Sequence, residues 1–465
     1  MNPELIYVNK KKQFIAHITI ATVVALILKI VLDFVYVFYI DRFFSYSFGA
    51  GLFNFTGIKA GRMLESYAVT FLLSICLAVT VNRRWQPSEI VLVLYFIVVV
   101  LPLTSLYGLS SGASSAFFYA VAGSFVVLLT TIGLLPKIKV PRPGRALMAI
   151  GLLLFIGMSA YVYGMLLYSG GIGRLSFNLL SVYDVRAEYV QNRGPFIGYF
   201  VPWQANVVNI ALLCYALHKK NRFLLVLCVA AQLLLFGMTG HKSFLLSPFL
   251  AVGVYITWKK KKALLYIIGG SVTLIVVTYV LFLISGNHLA PSIMIRRLFF
   301  VPAGNHFIYY DFFSKPENPF VMLSNSFLSP FFSYPYKMPV TRVISWAYWG
   351  RDFGPNVGYL GDAFAHFGFV GMFVFSAILG VFLRIVDSVG SQLPANLVAA
   401  VIATPAMSLT NSALFTSLLT HGMILAVILL WLLKKVLMRD MRNNEMQKLC
   451  MLVPLEGLGL RKFDK

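Results

Sequence analysis

Apolar runs of about twenty residues recur from Phe14 to Leu433, separated by polar connections. That is the length a helix needs to cross a bilayer. The pattern predicts about twelve spans, at roughly 14–40, 66–82, 88–107, 115–135, 146–168, 196–217, 223–239, 243–258, 263–285, 365–383, 396–413 and 417–433. The runs are continuous rather than alternating, so helices are expected and a transmembrane barrel is not. The expected fold is an all-α polytopic membrane protein, one membrane domain over 1–465 with no internal repeat.

Composition agrees. Of 465 residues, 59% are hydrophobic and 12% charged, far fewer charges than a soluble chain carries. The net charge of +23 changes the picture through its placement. Lys10–Lys12, Arg83/Arg84, Lys137–Arg145, Lys219–Arg222, Lys259–Lys262 and Arg384 occupy every alternate connection. This is positive-inside anchoring, not a basic groove, and it argues against nucleic-acid binding. It puts both termini in the cytoplasm of a bacterial-type inner membrane, with a basic cytoplasmic tail over 434–465. No cleavable signal is expected, because the first apolar run is too long. The four cysteines, Cys76, Cys214, Cys228 and Cys450, have neither zinc-ligand spacing nor an outer-face location that would suit disulfides.

Three outer segments break the charge rule: about 41–65, a middle loop over 169–195, and a large loop over 286–364 between the ninth and tenth spans. Their arginines and lysines work against topology and need another reason to be there. The large loop is dense in Phe, Tyr, Trp and Pro, so it is expected to fold into short helices packed on the membrane surface.

Candidate chemistry lies in those segments. In Asp184-Val-Arg186-Ala-Glu188, a helix continued to Arg193 would put both arginines on one face, suited to a diphosphate; the bland alternative is an ion-paired surface helix. Gly240-His241-Lys242-Ser243 forms the tip of a tight hairpin, where a lysine at a helix start makes either an anion site or a snorkelling side chain. Arg296-Arg297 precede an aromatic run with His306, Tyr309 and Tyr310, an arrangement for sugar and phosphate or an interfacial belt. In the stretch Asn356 to Gly368, Asp362 and His366 are four apart, as a base with its orienter or as a helix cap. Together they favour a basic, aromatic outer cavity for a lipid-linked anionic sugar. No Asp-X-Asp pair stands out for a metal, so Arg and Lys would neutralise the phosphates.

With these motifs in this order, the chain resembles the bacterial oligosaccharide repeat-unit polymerases, the Wzy-type O-antigen polymerases. The resemblance covers span count, the arginine-bearing middle loop and the large late loop. It implies a metal-independent, cofactor-free glycosyltransferase of the GT-C type, with its active site facing the periplasm. Its substrates would be oligosaccharides on undecaprenyl diphosphate, and a chain-length co-polymerase is an expected partner beside the bilayer. A hydroxyl of one repeat unit would displace undecaprenyl diphosphate from another, with inversion. Arg186, Arg193, Lys242, Arg296 and Arg297 would hold the diphosphate, and Tyr309 and Tyr359 would contact substrate. The base stays open among Glu188, Asp362, His366 and His306. An O-antigen ligase on the same scaffold is the nearest rival. A lipid-linked oligosaccharide flippase is the rival from another class, disfavoured because the spans hold little charge beyond Lys29 and Asp33.

Overall fold

The computed structural model describes residues 3–46, 49, 51–179, 181–259 and 263–452, with side chains from Lys11 to Met438. Lys260–Lys262 and the tail after Leu452 lie outside the described residues, as do the side chains of Lys10 and Cys450.

The chain is a multi-pass membrane protein built from helices, with no strand among the described residues. Among the described residues, ten helices are long and apolar enough to cross a membrane. They are α1 (Lys11–Phe44), α2 (Ala60–Arg84), α3 (Glu89–Leu109), α4 (Ser115–Leu134), α5 (Arg145–Tyr168), α7 (Ile197–Lys219), α8 (Arg222–Thr239), α10 (Ala263–Ser285), α13 (Tyr359–Gly390) and α15 (Leu414–Met438). Two shorter apolar helices, α9 (Lys242–Thr257) and α14 (Ala395–Thr410), complete the predicted set. Between spans lie α6 (Val182–Gln191), α11 (Val301–Phe313, entered through a π-helical stretch Ser292–Phe300) and α12 (Val340–Trp349).

Apolar patterning decides who sits where. Helix α3 is hydrophobic all round and wholly buried, so it forms the centre. Helices α2, α11 and α14 pack on it, and α13 packs along α4. Helix α5 buries almost nothing and lies at the periphery. The basic connections meet at one end of the bundle. Arg84 and Arg384 share the buried Asp387 there, at 3.3 and 3.5 Å, and Lys137 reaches Gln86. Within the spans, Lys29 and Asp33 pair at 3.0 Å and Tyr67 closes the pair by donating to Asp33 at 2.8 Å.

Two expectations change. The first half of the large loop does not lie on the surface. Helix α11 inserts into the bundle against α3 and α13, burying Asn305, His306, Phe307, Ile308 and Tyr309. It can do so because its polar groups find partners: Asn305 donates to the Asn356 carbonyl, His306 to Pro302 and Tyr309 to Pro355. The middle loop is helical only to Gln191, so Arg193 lies beyond the helix and does not share a face with Arg186.

Candidate functional site

The tip of the α8–α9 hairpin is shaped by Gly240, whose φ is +66°. A Cβ there would stand 2.4 Å from the Val182 carbonyl oxygen and 3.0 Å from the Arg186 nitrogen. Glycine lets the backbone of α6 rest directly on the tip. The same contact aims Arg186: its Nη2 donates to the Gly240 carbonyl at 3.2 Å, and its Nε is buried with no partner. Lys242 opens α9, so its ammonium stands where backbone N–H groups already favour an anion.

Tyr183, also on α6, joins this tip to the large loop. Its ring receives Lys242 Nζ at 5.3 Å and the Arg297 guanidinium at 5.9 Å. Arg296 sits beside Arg297, over the Phe44 ring at 4.6 Å. Burial pushes the Arg186 guanidinium below the ordinary arginine value, and the charge of Arg297 adds to it. Arg296 is pushed down by burial and again by Arg297. These guanidiniums repel one another and stay charged.

Several other positive residues of the outer segments are engaged elsewhere. Arg62 caps the carbonyls of Tyr107 and Ala113. Arg174 is spent on Met238 and Ser169. Lys315 pairs with Asp311 at 3.1 Å and Arg342 with Asp352 at 3.2 Å. Among the described residues, Arg186, Lys242, Arg296 and Arg297 have no carboxylate within ion-pair distance. Four converging cations without a counter-ion make a receptor for a polyanion.

A cavity of about 880 Å³ opens beside them. Arg297 and Ser243 line its cationic wall, and Leu246, Phe249, Leu250 and Leu274 of α9 and α10 line an apolar one. Phe249 is 71% exposed, so the apolar wall runs out to the face where lipid packs. Asp362, Tyr309, Asn356, Asn411 and His421 also line it.

The Asp362 wall follows from a break in α13. Gly368 adopts φ +59°, ψ −146°, which interrupts the helix after His366. The loop 321–324 satisfies the groups so freed. Val321 N–H donates to the Ala365 carbonyl and Leu323 N–H to His366 Nδ1, both at 2.9 Å. Since Nδ1 accepts, the ring proton is on Nε2, which points at Asp362 Oδ1 from 3.6 Å. Asp362 Oδ2 is buried without a protein partner and borders the cavity. At 3.6 Å Asp362 and His366 are close neighbours without a formed hydrogen bond, and the His366 Nε2 is buried with no partner.

The structure thus brings Arg186, Lys242, Arg296, Arg297, Tyr309, Asp362 and His366 to one region. It leaves other candidates elsewhere. His306 is fully buried and donates from Nδ1 to Pro302 at 2.6 Å; burial pushes its pKa down to about 4. Tyr359 packs against Tyr95 with the rings tilted and shares a hydrogen bond with Ser376, and it does not line the cavity. Glu188 and Arg193 are exposed and do not line it. Sequence reasoning missed Tyr183, whose aromatic face bridges two cations, and His421. The signal for His421 was the polar run Ser408-Leu-Thr410-Asn411-Ser412 just before it, inside an otherwise apolar stretch. His241, within the hairpin-tip motif, is set between Phe244 and Tyr189 and pushed down to about 4 by burial and by Arg186.

Comparison with family models, with curated proteins and with solved structures returned no match.

Proposed function

We propose that this chain is a polysaccharide polymerase of the Wzy type, joining oligosaccharide repeat units carried on undecaprenyl diphosphate at the outer face of a bacterial inner membrane. The observation that carries the reading is opposite charge in the lining of one cavity: Arg297, with Arg186, Lys242 and Arg296 gathered beside it without carboxylate partners, and Asp362, whose Oδ2 is buried without a partner.

That arrangement of charge suits glycosyl transfer from a lipid diphosphate. The donor's diphosphate rests on Arg186, Lys242, Arg296 and Arg297, and its isoprenoid tail follows the apolar wall of α9 and α10. An acceptor hydroxyl enters on the Asp362 side. Its oxygen bonds to the anomeric carbon as the bond from that carbon to the diphosphate breaks, and its proton passes to Asp362 Oδ2. Charge building on the leaving diphosphate meets the guanidiniums, which are already in place and need no reorganisation. His366 keeps its Nε2 proton toward Oδ1 and orients the carboxylate. Attack opposite the leaving group inverts the anomeric centre. Among the four bases the sequence left open, this arrangement favours Asp362.

In this reading the end of the bundle with the basic connections faces the cytoplasm and the cavity faces the periplasm. A flippase would use charge along a path through the spans, whereas the Lys29–Asp33 pair is closed by Tyr67.

The test is a gel of surface polysaccharide from a strain lacking the gene. A polymerase predicts lipid core carrying one repeat unit, restored to a ladder by the wild-type gene and not by Arg297→Ala. Loss of every surface-linked unit indicates the ligase or flippase instead, and an unchanged ladder contradicts the proposal.

A further inference from the structure

We infer that a second, shallow cleft beside the main cavity, walled by Asn325, Tyr334, Tyr336 and Lys337, is a pyranose-binding subsite for the acceptor glycan. The inference rests on the proposed glycosyl transfer for the word acceptor, though not for sugar binding itself.

The cleft measures about 290 Å³, at the small end for ligand sites: room for sugar rings rather than for a lipid chain. Asn325 lines both spaces, and the chain passes from Pro339 in the cleft to Val340 and Thr341 in the cavity. The cleft therefore joins the cavity at the Asn325 side. None of Arg186, Lys242, Arg296 or Arg297 borders it. Asn325 also lies two residues beyond Leu323, whose N–H holds His366 behind Asp362. A sugar in the cleft would reach the cavity beside the carboxylate and not beside the diphosphate. A single displacement needs that separation, because the incoming hydroxyl must approach opposite to the leaving group.

The walls have sugar-binding chemistry. Tyr334 and Tyr336 stand 6.0 Å apart at 66°. Their hydroxyls are already used, donating to Met338 at 2.9 Å and to Pro319 at 2.7 Å. Tyr336 is further braced by Phe312 and Phe313. What remains for a ligand is ring surface held in fixed orientation, which suits the C–H face of a pyranose. The Asn325 amide makes no side-chain hydrogen bond among the described residues and would serve ring hydroxyls. Lys337 adds an exposed donor at the rim.

The probe is the repeat-unit oligosaccharide released by mild acid from the strain's own lipid-linked pool, titrated by saturation-transfer NMR onto the full chain in lipid nanodiscs. The expected result is binding weakened about tenfold by Tyr334→Ala and by Asn325→Ala. Arg297→Ala and Asp362→Asn are expected to bind it like wild type. Undecaprenyl phosphate should be weakened by Arg297→Ala alone and bind the other three variants like wild type. Thermal melting confirms that each variant is folded, and Asn325→Ala, at the rim, is the one least exposed to a folding defect. No oligosaccharide binding to wild type, or equal binding by Tyr334→Ala and Asn325→Ala, overturns the subsite. Oligosaccharide binding that follows the expected pattern in a protein that makes no polymer keeps the subsite and overturns the polymerase reading.

Discussion

His366 presents its Nε2 to Oδ1 of Asp362 at 3.6 Å while its Nδ1 accepts the Leu323 N–H at 2.9 Å. The tautomer is fixed from outside the pair, so in the proposed transfer His366 would position and Asp362 would receive the proton. Asp362→Asn is expected to lower transfer by about 10²-fold or more, the usual worth of a general base. His366→Gln, which retains a donor, should lose far less than His366→Ala. Equal losses in Asp362→Asn and His366→Gln, measured as initial rates at saturating donor, would contradict this division of roles.

Gly240 tests how α6 is held. A Cβ 2.4 Å from the Val182 carbonyl must push α6 off the hairpin tip and carry Arg186 and Tyr183 with it. Gly240→Ala is expected to expose the 174–195 segment to limited proteolysis and to weaken donor binding, with the rest of the bundle intact. Unchanged proteolysis would show that α6 does not depend on this contact.

Much of this architecture was legible in the sequence because hydropathy is local. Each span announces itself within about twenty residues, and the two short helices, Lys242–Thr257 and Ala395–Thr410, were visible in the same way. Four site cations were legible for a similar reason: Arg186, Lys242, Arg296 and Arg297 stand where topology disfavours them. What stayed hidden depends on contacts distant in sequence. The burial of α11 rests on Asn305 and Tyr309 reaching 356 and 355. Asn209, which accepts from Gln204 within α7, ties α7 to α8 by donating to Gln232 at 2.9 Å, a contact that no periodicity reports. Tyr359 looked available beside Asp362, but its ring turns into the core toward Tyr95.

The Lys29–Asp33 pair separates catalysis from transport. It is buried, and Tyr67 completes it. Removing one partner leaves an uncompensated buried charge, so Asp33→Asn should destabilise the protein by about 3–5 kcal/mol. Lys29→Met with Asp33→Leu should recover most of that and retain transfer activity. Loss of activity in a well-folded double variant would return charge within the spans to the mechanism.

His306 sets a pH dependence of stability. Burial lowers its pKa from 6.5 to about 4, so the unfolded chain binds the proton more readily than the native one. Its stabilising contribution is full above about pH 6.5 and is lost as pH falls toward 4, amounting to about 3 kcal/mol. Melting temperature should fall over that window, and His306→Asn, which retains a donor for the Pro302 carbonyl, should flatten the fall. Identical pH curves for the two proteins would assign the acid sensitivity elsewhere.

If this chain alone joins lipid-linked repeat units, it should do so after purification and reconstitution. Purified protein in proteoliposomes would be given undecaprenyl-diphosphate-linked repeat unit, with products separated by size and released undecaprenyl diphosphate measured alongside. The expected result is a ladder of polymer with one lipid diphosphate released per bond formed, abolished in Asp362→Asn and Arg297→Ala. Folded wild-type protein that yields neither ladder nor released lipid diphosphate, or an Asp362→Asn protein that polymerises at the wild-type rate, would contradict it.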